Sequence, residues 1–168
     1  MRLNVKPILH APGQTLPFRF TMDLSDLDFN GVFPVKEPVE VEGIVRNTAD
    51  VLDLQLEART TLDCVCDRCA KDFQTTKTVL FSCLLAQEKQ DEENEEIVLL
   101  EDGEVDAEDL ARTAFILEMD TKTLCSEDCK GLCPGCGVNL NLEPCACQKE
   151  VDPRLAVLAK LLDKNSDN

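Results

Sequence analysis

Leu52-Asp53-Leu54-Gln55-Leu56-Glu57-Ala58-Arg59-Thr60-Thr61-Leu62-Asp63-Cys64-Val65-Cys66-Asp67-Arg68-Cys69 alternates apolar and polar side chains until it reaches a cysteine pair, with Thr60 keeping the phase. A period of two held over that length suits a strand with one buried face, and a helix cannot satisfy it. Val79, Phe81, Cys83 and Leu85 resume the alternation after Cys69. Two long strands flanking a short Cys-Asp-Arg-Cys tip predict a β-hairpin. With the tip near Arg68, Cys83 falls opposite about Leu54 rather than Cys64, so no disulfide between Cys64 and Cys83 is expected. Both of these cysteines lie in phase with the apolar faces of their strands and read as small buried hydrophobes.

Working outward, Phe18, Phe20, Met22 and Leu24 alternate, as do Val39, Val41 and Val45 after the Pro- and Gly-containing stretch 31–38. On the C-terminal side, 87–96 is polar and acidic and reads as an exposed loop, and 97–100 as a short strand. Asp106 reads as an N-cap with Glu108 and Asp109 in the first turn of a helix from about Ala107 to Glu118. Leu110, Ala114 and Leu117 would form its apolar face, widened by Phe115 and Ile116. Asp152-Pro153 begins a terminal helix whose stripe Leu155, Leu158, Ala159 and Leu162 would dock back onto the core. The expected fold is α+β: an antiparallel β-sheet with a packed helix, and a zinc-bound, cysteine-rich C-terminal extension ending in a helix. Residues 1–124 would form the sheet-plus-helix core and 125–168 the extension.

The chain has 168 residues, 43% hydrophobic, enough for a core. It has no long apolar run, and no secretory signal is expected. One histidine, His10, leaves little for a His-based catalytic scheme, and the lack of Trp and Tyr leaves a poor platform for stacking bases. The net charge is −16. Residues 88–109 hold 12 acids against Lys89 alone, a net of −11. This strip reads as a solvated connector or as a docking strip for a basic partner. Direct binding of naked nucleic acid as the main activity is disfavoured, because no basic face dominates.

Ten cysteines in a chain read as cytoplasmic point to metal or redox chemistry rather than disulfides. Structural zinc takes four thiolates, commonly as two closely spaced pairs. Cys66-x-x-Cys69 is one such pair, and Cys133-Pro134-Gly135-Cys136-Gly137 is a second, with residues that suit a tight knuckle. Cys125 and Cys129 are spaced to meet on one helical turn, and Cys145-Ala146-Cys147 is a tight pair. These eight suffice for two structural four-cysteine zinc sites. Cys133, Cys136, Cys145 and Cys147 could share one ion, and Cys66, Cys69, Cys125 and Cys129 the other. Alternatively, Cys125, Cys129, Cys133 and Cys136 pair locally and leave Cys66 and Cys69 to Cys145 and Cys147. Thiolate sets also bind iron. Closed four-thiolate sites are structural, and no catalytic motif is present, so no enzyme is expected. A thioredoxin-like role for Cys66-x-x-Cys69 would want a helix N-terminus, not a hairpin.

Cys66-x-Arg68-Cys69 followed by Phe73, Asp102-Gly103 leading into Val105-Asp106 and the helix, the run Leu124 to Asn141 and the closing Asp152-Pro153-Arg154-Leu155 together resemble the YceD family of large ribosomal RNA subunit accumulation proteins. The cysteine-rich ending is similar to that of its Gram-positive-type members. The chain departs from the family pattern in having Ala70, Lys71 and Asp72 where members often have Leu and Pro. The resemblance implies a cytoplasmic, non-enzymatic factor in large-subunit (23S) ribosomal RNA accumulation or processing. It supplies no catalytic residue. The acidic charge makes a basic ribosomal protein or a pre-large-subunit particle the expected partner. Two other readings are a zinc-dependent RNA-binding module and a cysteine-based redox sensor. The first has only Lys130 as a base between Cys125 and Cys147.

Overall fold

The alternating stretches become strands in a computed structural model, which describes residues 1–29, 31–87 and 97–147. The chain runs β1 (Arg2–Asn4), α1 (Lys6–Leu9), β2 (Thr15–Met22), β3 (Val39–Thr48), β4 (Val51–Val65), β5 (Asp72–Ala86), β6 (Ile97–Leu99), β7 (Glu104–Asp106) and α2 (Ala107–Leu117). One sheet has the order β2-β3-β4-β5-β6, and β1 pairs with β7 in a second. β2 to β5 are joined antiparallel, each to the next. β6 breaks the expectation of an antiparallel sheet, because it joins β5 in parallel. A tight turn can only reverse a strand, so a parallel neighbour needs a longer return connection.

The hairpin β4–β5 pairs Leu54 with Cys83 and Cys64 with Phe73. This is the register expected from a tip near Arg68. Rows of inward side chains cross four strands, among them Phe20–Val41–Ala58–Val79 and Leu16–Val45–Leu54–Cys83. Val41, Val45, Leu54 and Ala58 are fully buried. Taking a side chain such as Leu54 out of water stabilises by about 1.5–3 kcal/mol. The β3–β4 turn places Ala49 and Asp50 at positive φ (53° and 66°) without a glycine. Buried Asn47 supports it by accepting from the Asp50 amide at 2.9 Å. Its Nδ2 also donates to the Ile8 and Leu9 carbonyls at 2.7 and 3.1 Å, which ties α1 to β3.

Asp106 caps α2, its Oδ1 accepting from the Glu108 and Asp109 amides at 3.1 and 3.3 Å. The helix is where the sequence places it, and its buried face keeps the expected Ala114 and Phe115, with Leu110 partly buried against the core, but gains Ala107 and Ala111 and loses Leu117 and Ile116. Ala107, Ala111, Ala114 and Phe115 join the sheet's buried cluster. Leu117 is 78% exposed and Ile116 is also exposed. Four-residue steps through alanine let the backbone approach closely, and Phe115 fills the space that the alanines leave. The terminal helix expected from Asp152 lies outside the described residues, as does the whole of the acidic stretch 88–96.

The chain divides into two compact units. The first is Met1–Val65 with Asp72–Thr123. The second joins Cys66–Lys71, the hairpin tip, to the chain from Leu124 onward.

Candidate metal centres

Two turns in the second unit share one hydrogen-bond pattern. In the tip, the Cys66 amide donates to Lys71 O at 2.9 Å and the Ala70 amide to Cys66 O at 2.8 Å. In the other, the Cys133 amide donates to Val138 O at 2.8 Å and the Gly137 amide to Cys133 O at 2.8 Å. Each closes a Cys-x-x-Cys knuckle with its two sulfurs on one side. The residue after the second cysteine has positive φ in both, 54° at Ala70 and 75° at Gly137. Only glycine adopts that conformation without cost, so the tip knuckle carries strain the other lacks.

Arg68 joins the tip to the segment 125–132. Its guanidinium donates to the carbonyls of Glu127 and Cys129 at 3.2 and 2.8 Å, and its own carbonyl accepts from the Leu132 amide at 3.0 Å. Gly131 has a φ of 77°, and a Cβ there would lie 3.0 Å from Arg68 O, so glycine is favoured on both counts.

These contacts bring Cys66, Cys69, Cys125 and Cys129 together. Cys66 Sγ lies 3.8 Å from Cys129 Sγ, and Cys69 Sγ lies 3.6 Å from Cys125 Sγ. Cys133, Cys136, Cys145 and Cys147 form the other group, with Cys145 Sγ 3.4 Å from Cys136 Sγ and 3.2 Å from Cys133 Sγ. Within each group every sulfur lies within 4.8 Å of the others. Zinc–sulfur bonds of about 2.3 Å in a tetrahedron put sulfurs about 3.8 Å apart, so each group has the size of one four-thiolate site. Either group could hold a metal ion. Of the two partitions the cysteine spacing leaves open, the sulfurs are grouped in the one that joins the hairpin tip to Cys125 and Cys129.

The two groups differ in exposure. Cys66, Cys69 and Cys129 are buried and Cys125 is half-buried, whereas Cys136 and Cys147 are exposed. Electrostatics separates the thiols within each group. The Cys125 amide, with the amides of Cys69 and Arg68, lowers the Cys66 thiol to about 6, against the opposing effect of burial. Burial and the neighbouring sulfurs push Cys125 up to about 12. In the second group the Cys136 amide and the neighbouring Cys145 lower Cys133 to about 6, and Cys145 and the other sulfurs raise Cys147 to about 12. Four crowded sulfurs do not all ionise unaided, because like charges at this distance repel. A bound cation removes that conflict.

Sequence reasoning names all eight cysteines but gives no role to Arg68 or Asn141. Asn141 donates through Nδ2 to Cys129 Sγ at 3.3 Å. The sequence signal for it is faint: two asparagines, Asn139 and Asn141, in a short loop bounded by ligand-spaced cysteines.

Residues 54–162 match the family described as large ribosomal RNA subunit accumulation protein YceD. An uncharacterized protein of Mycobacterium tuberculosis is 34% identical over 106 residues, which is 61% of this chain and 51% of that protein. A chloroplastic protein of Arabidopsis thaliana, named large ribosomal RNA subunit accumulation protein YCED homolog 1, is 27% identical over 162 residues, 79% of this chain and 49% of that one. The chain thus spans about half the length of these two relatives. The uncharacterized protein YlbN of Bacillus subtilis is 26% identical over 179 aligned positions, covering both chains completely. No solved structure matches.

Proposed function

We propose, from the premise that this chain belongs to the YceD family, that it is a non-enzymatic assembly factor supporting the accumulation of large-subunit ribosomal RNA, with its second unit folded around two zinc ions. The observation that carries the metal reading is the gathering of eight cysteines, from four separate sequence pairs, into two groups of tetrahedral size. Cys66, Cys69, Cys125 and Cys129 would hold one ion, and Cys133, Cys136, Cys145 and Cys147 the other. Zinc would supply a charge centre that keeps four thiolates together, in a segment whose described residues bury few apolar side chains other than the cysteines. With four sulfurs around each ion, no position is left for water or substrate, which favours a structural role over a catalytic one.

The partner we infer is a basic ribosomal protein or a pre-large-subunit particle, met in the cytoplasm. A chain of net charge −16 attracts a cationic protein and repels phosphate. No helix among the described residues is long and apolar enough to cross a membrane.

The test is depletion of the protein, followed by the ratio of large- to small-subunit ribosomal RNA and a sucrose-gradient profile. A selective shortage of the large subunit is expected, and a normal ratio and profile would sink the assembly reading. Elemental analysis of the purified chain should find two zinc ions per chain. Binding to the ribosomal partner should weaken as salt rises and survive RNase. Its loss on RNase treatment would favour the RNA-binding reading instead.

A further inference from the structure

Asn141 sits where the two cysteine groups meet in the chain. Its loop is bracketed by Cys136 and Cys145, both in the second group. The loop folds back on the segment between the groups, with the Leu140 amide donating to Gly131 O at 2.9 Å and Leu132 bridging Asn139. The side chain then reaches the first group. Asn141 Oδ1 accepts from the Lys130 amide at 2.8 Å. A backbone amide can only donate, so this bond fixes the orientation of the side chain and turns its NH2 away from Lys130. That NH2 donates to Cys129 Sγ at 3.3 Å and to Asn139 Oδ1 at 2.8 Å. The Asn141 backbone amide also donates to Asn139 Oδ1, at 3.0 Å. All the polar atoms of the amide are thereby satisfied.

We propose that Asn141 is a positioning residue that couples the two centres: the loop closed by the second group delivers a hydrogen bond to a sulfur of the first. The inference rests on the metal-binding reading above. A donor to a metal-bound thiolate offsets its negative charge and fixes its direction, and such outer partners tune metal affinity. A loop tethered at both ends by the second group holds the donor in place. With that group open, the loop's ends are no longer fixed to each other, and the donor has to be ordered at an entropic cost. Metal at the outer, more exposed group therefore raises the affinity of the buried one. By linkage, metal at the buried group raises the affinity of the outer one by the same factor.

Cadmium-loaded full-length protein tests this, because each four-sulfur centre gives its own cadmium NMR signal. Cys145→Ser, which opens the second group, assigns the two signals. Asn141→Asp keeps the acceptor facing Lys130 and replaces only the donor end. It should move the signal of the first group and lower that group's cadmium affinity about tenfold or more in chelator competition. Cys145→Ser should lower the first group's affinity in the wild-type background and add nothing further in the Asn141→Asp background. Asn141→Ala, which removes the donor without adding charge, should reproduce the loss if Asn141→Asp does not fold. Unchanged affinity and signal at the first group in these variants, or losses that multiply independently, would overturn the coupling. A wild-type chain that takes up no metal would bring down the metal reading itself. Two ions bound with an unmoved variant removes only the role of Asn141.

Discussion

The Phe18 ring lies across Gly43, its cross-strand partner on β3. A Cβ at position 43 would stand 2.7 Å from Gln55 O and closer still to the tip of the Phe18 ring. Glycine in a strand interior ordinarily weakens it, but here the missing side chain makes room for the tip of an aromatic ring. Phe18 is buried, and its ring also stacks against Phe20 with centroids 6.3 Å apart.

Gly43→Ala should therefore destabilise the sheet by about 1–3 kcal/mol, the range for forcing atoms into a filled core. Phe18→Ala should cost about 3–5 kcal/mol through the cavity it leaves. Because both act on one space, the double variant should cost less than the sum. Denaturant unfolding of the four proteins measures this, and simple additivity would contradict the packing described.

Ala70 holds a φ of 54° in the tip knuckle, where the matching position of the other knuckle is Gly137. Ala70→Gly should stabilise the protein by about 1 kcal/mol, relieving the left-handed strain. Gly137→Ala should cost a similar amount. Thermal unfolding of the metal-loaded protein reads both changes, and a loss of stability in Ala70→Gly would show that the strain is not there.

Cys133→Ser should remove about one zinc ion per chain and leave the other centre filled. Cys83→Ala should leave the metal content unchanged and cost roughly 1 kcal/mol of packing. Burial pushes the Cys83 thiol up to about 11, so in the native protein it should resist alkylation at neutral pH. Elemental analysis checks the two metal contents, denaturant unfolding the packing cost and mass spectrometry after alkylation the thiol, and rapid native labelling of Cys83 would contradict its burial.

The Asp106 cap predicts a pH dependence. Burial raises its carboxyl, but the Asp109 amide, the α-amino group and the Glu108 amide outweigh this and hold it below the ordinary aspartate value. A group whose folded value is depressed contributes stability above its unfolded value, about 3.9, and loses it as pH falls through the folded one. Asp106→Ala should cost about 1 kcal/mol near neutral pH. The gap from wild type should close below about pH 4. Asp106→Asn, which caps without titrating, should flatten the acid limb. A gap that persists in acid would argue against the cap.

The long strands are legible because the side-chain period of two continues through β4 and again in β5, and the turn at Arg68 then fixes the register. Position 83 could be set against 54 by counting alone. Asp106 is legible as a cap because the acids behind it suit a helix start. The buried face of α2 is legible only in part: Leu110, Ala114 and Phe115 pack on the core as the pattern implies, but Leu117 draws the eye while Ala107 and Ala111, small and uninformative in a periodicity count, share the contact. β1 and β7 pair Leu3 with Val105 and are each too short for any pattern to emerge. The parallel return of β6 depends on a connection whose composition records polarity but not direction. At the candidate centres the ligand spacings are visible in the sequence. The partition is not, because it is set by Arg68 hydrogen bonds that span about sixty residues.

That span bears on the order in which the molecule is built during translation. Cys66 and Cys129 are 63 residues apart, yet they meet in one group. A hairpin turn is normally complete once its two strands have been synthesised; this one closes its backbone bonds between Cys66 and Lys71, but its Arg68 guanidinium and its two sulfurs find their partners only in residues made much later. A nascent chain that has reached Thr123 contains every residue of the first unit and, of the second, only the tip Cys66–Lys71. Until Cys125 to Leu132 emerge, the tip presents two thiols and a guanidinium to whatever oxidant, metal or chaperone is nearby. A premature stop in that window would yield a chain with all the residues of its sheet but an open tip, and such a product should be recognisable by the reactivity of Cys66 and Cys69.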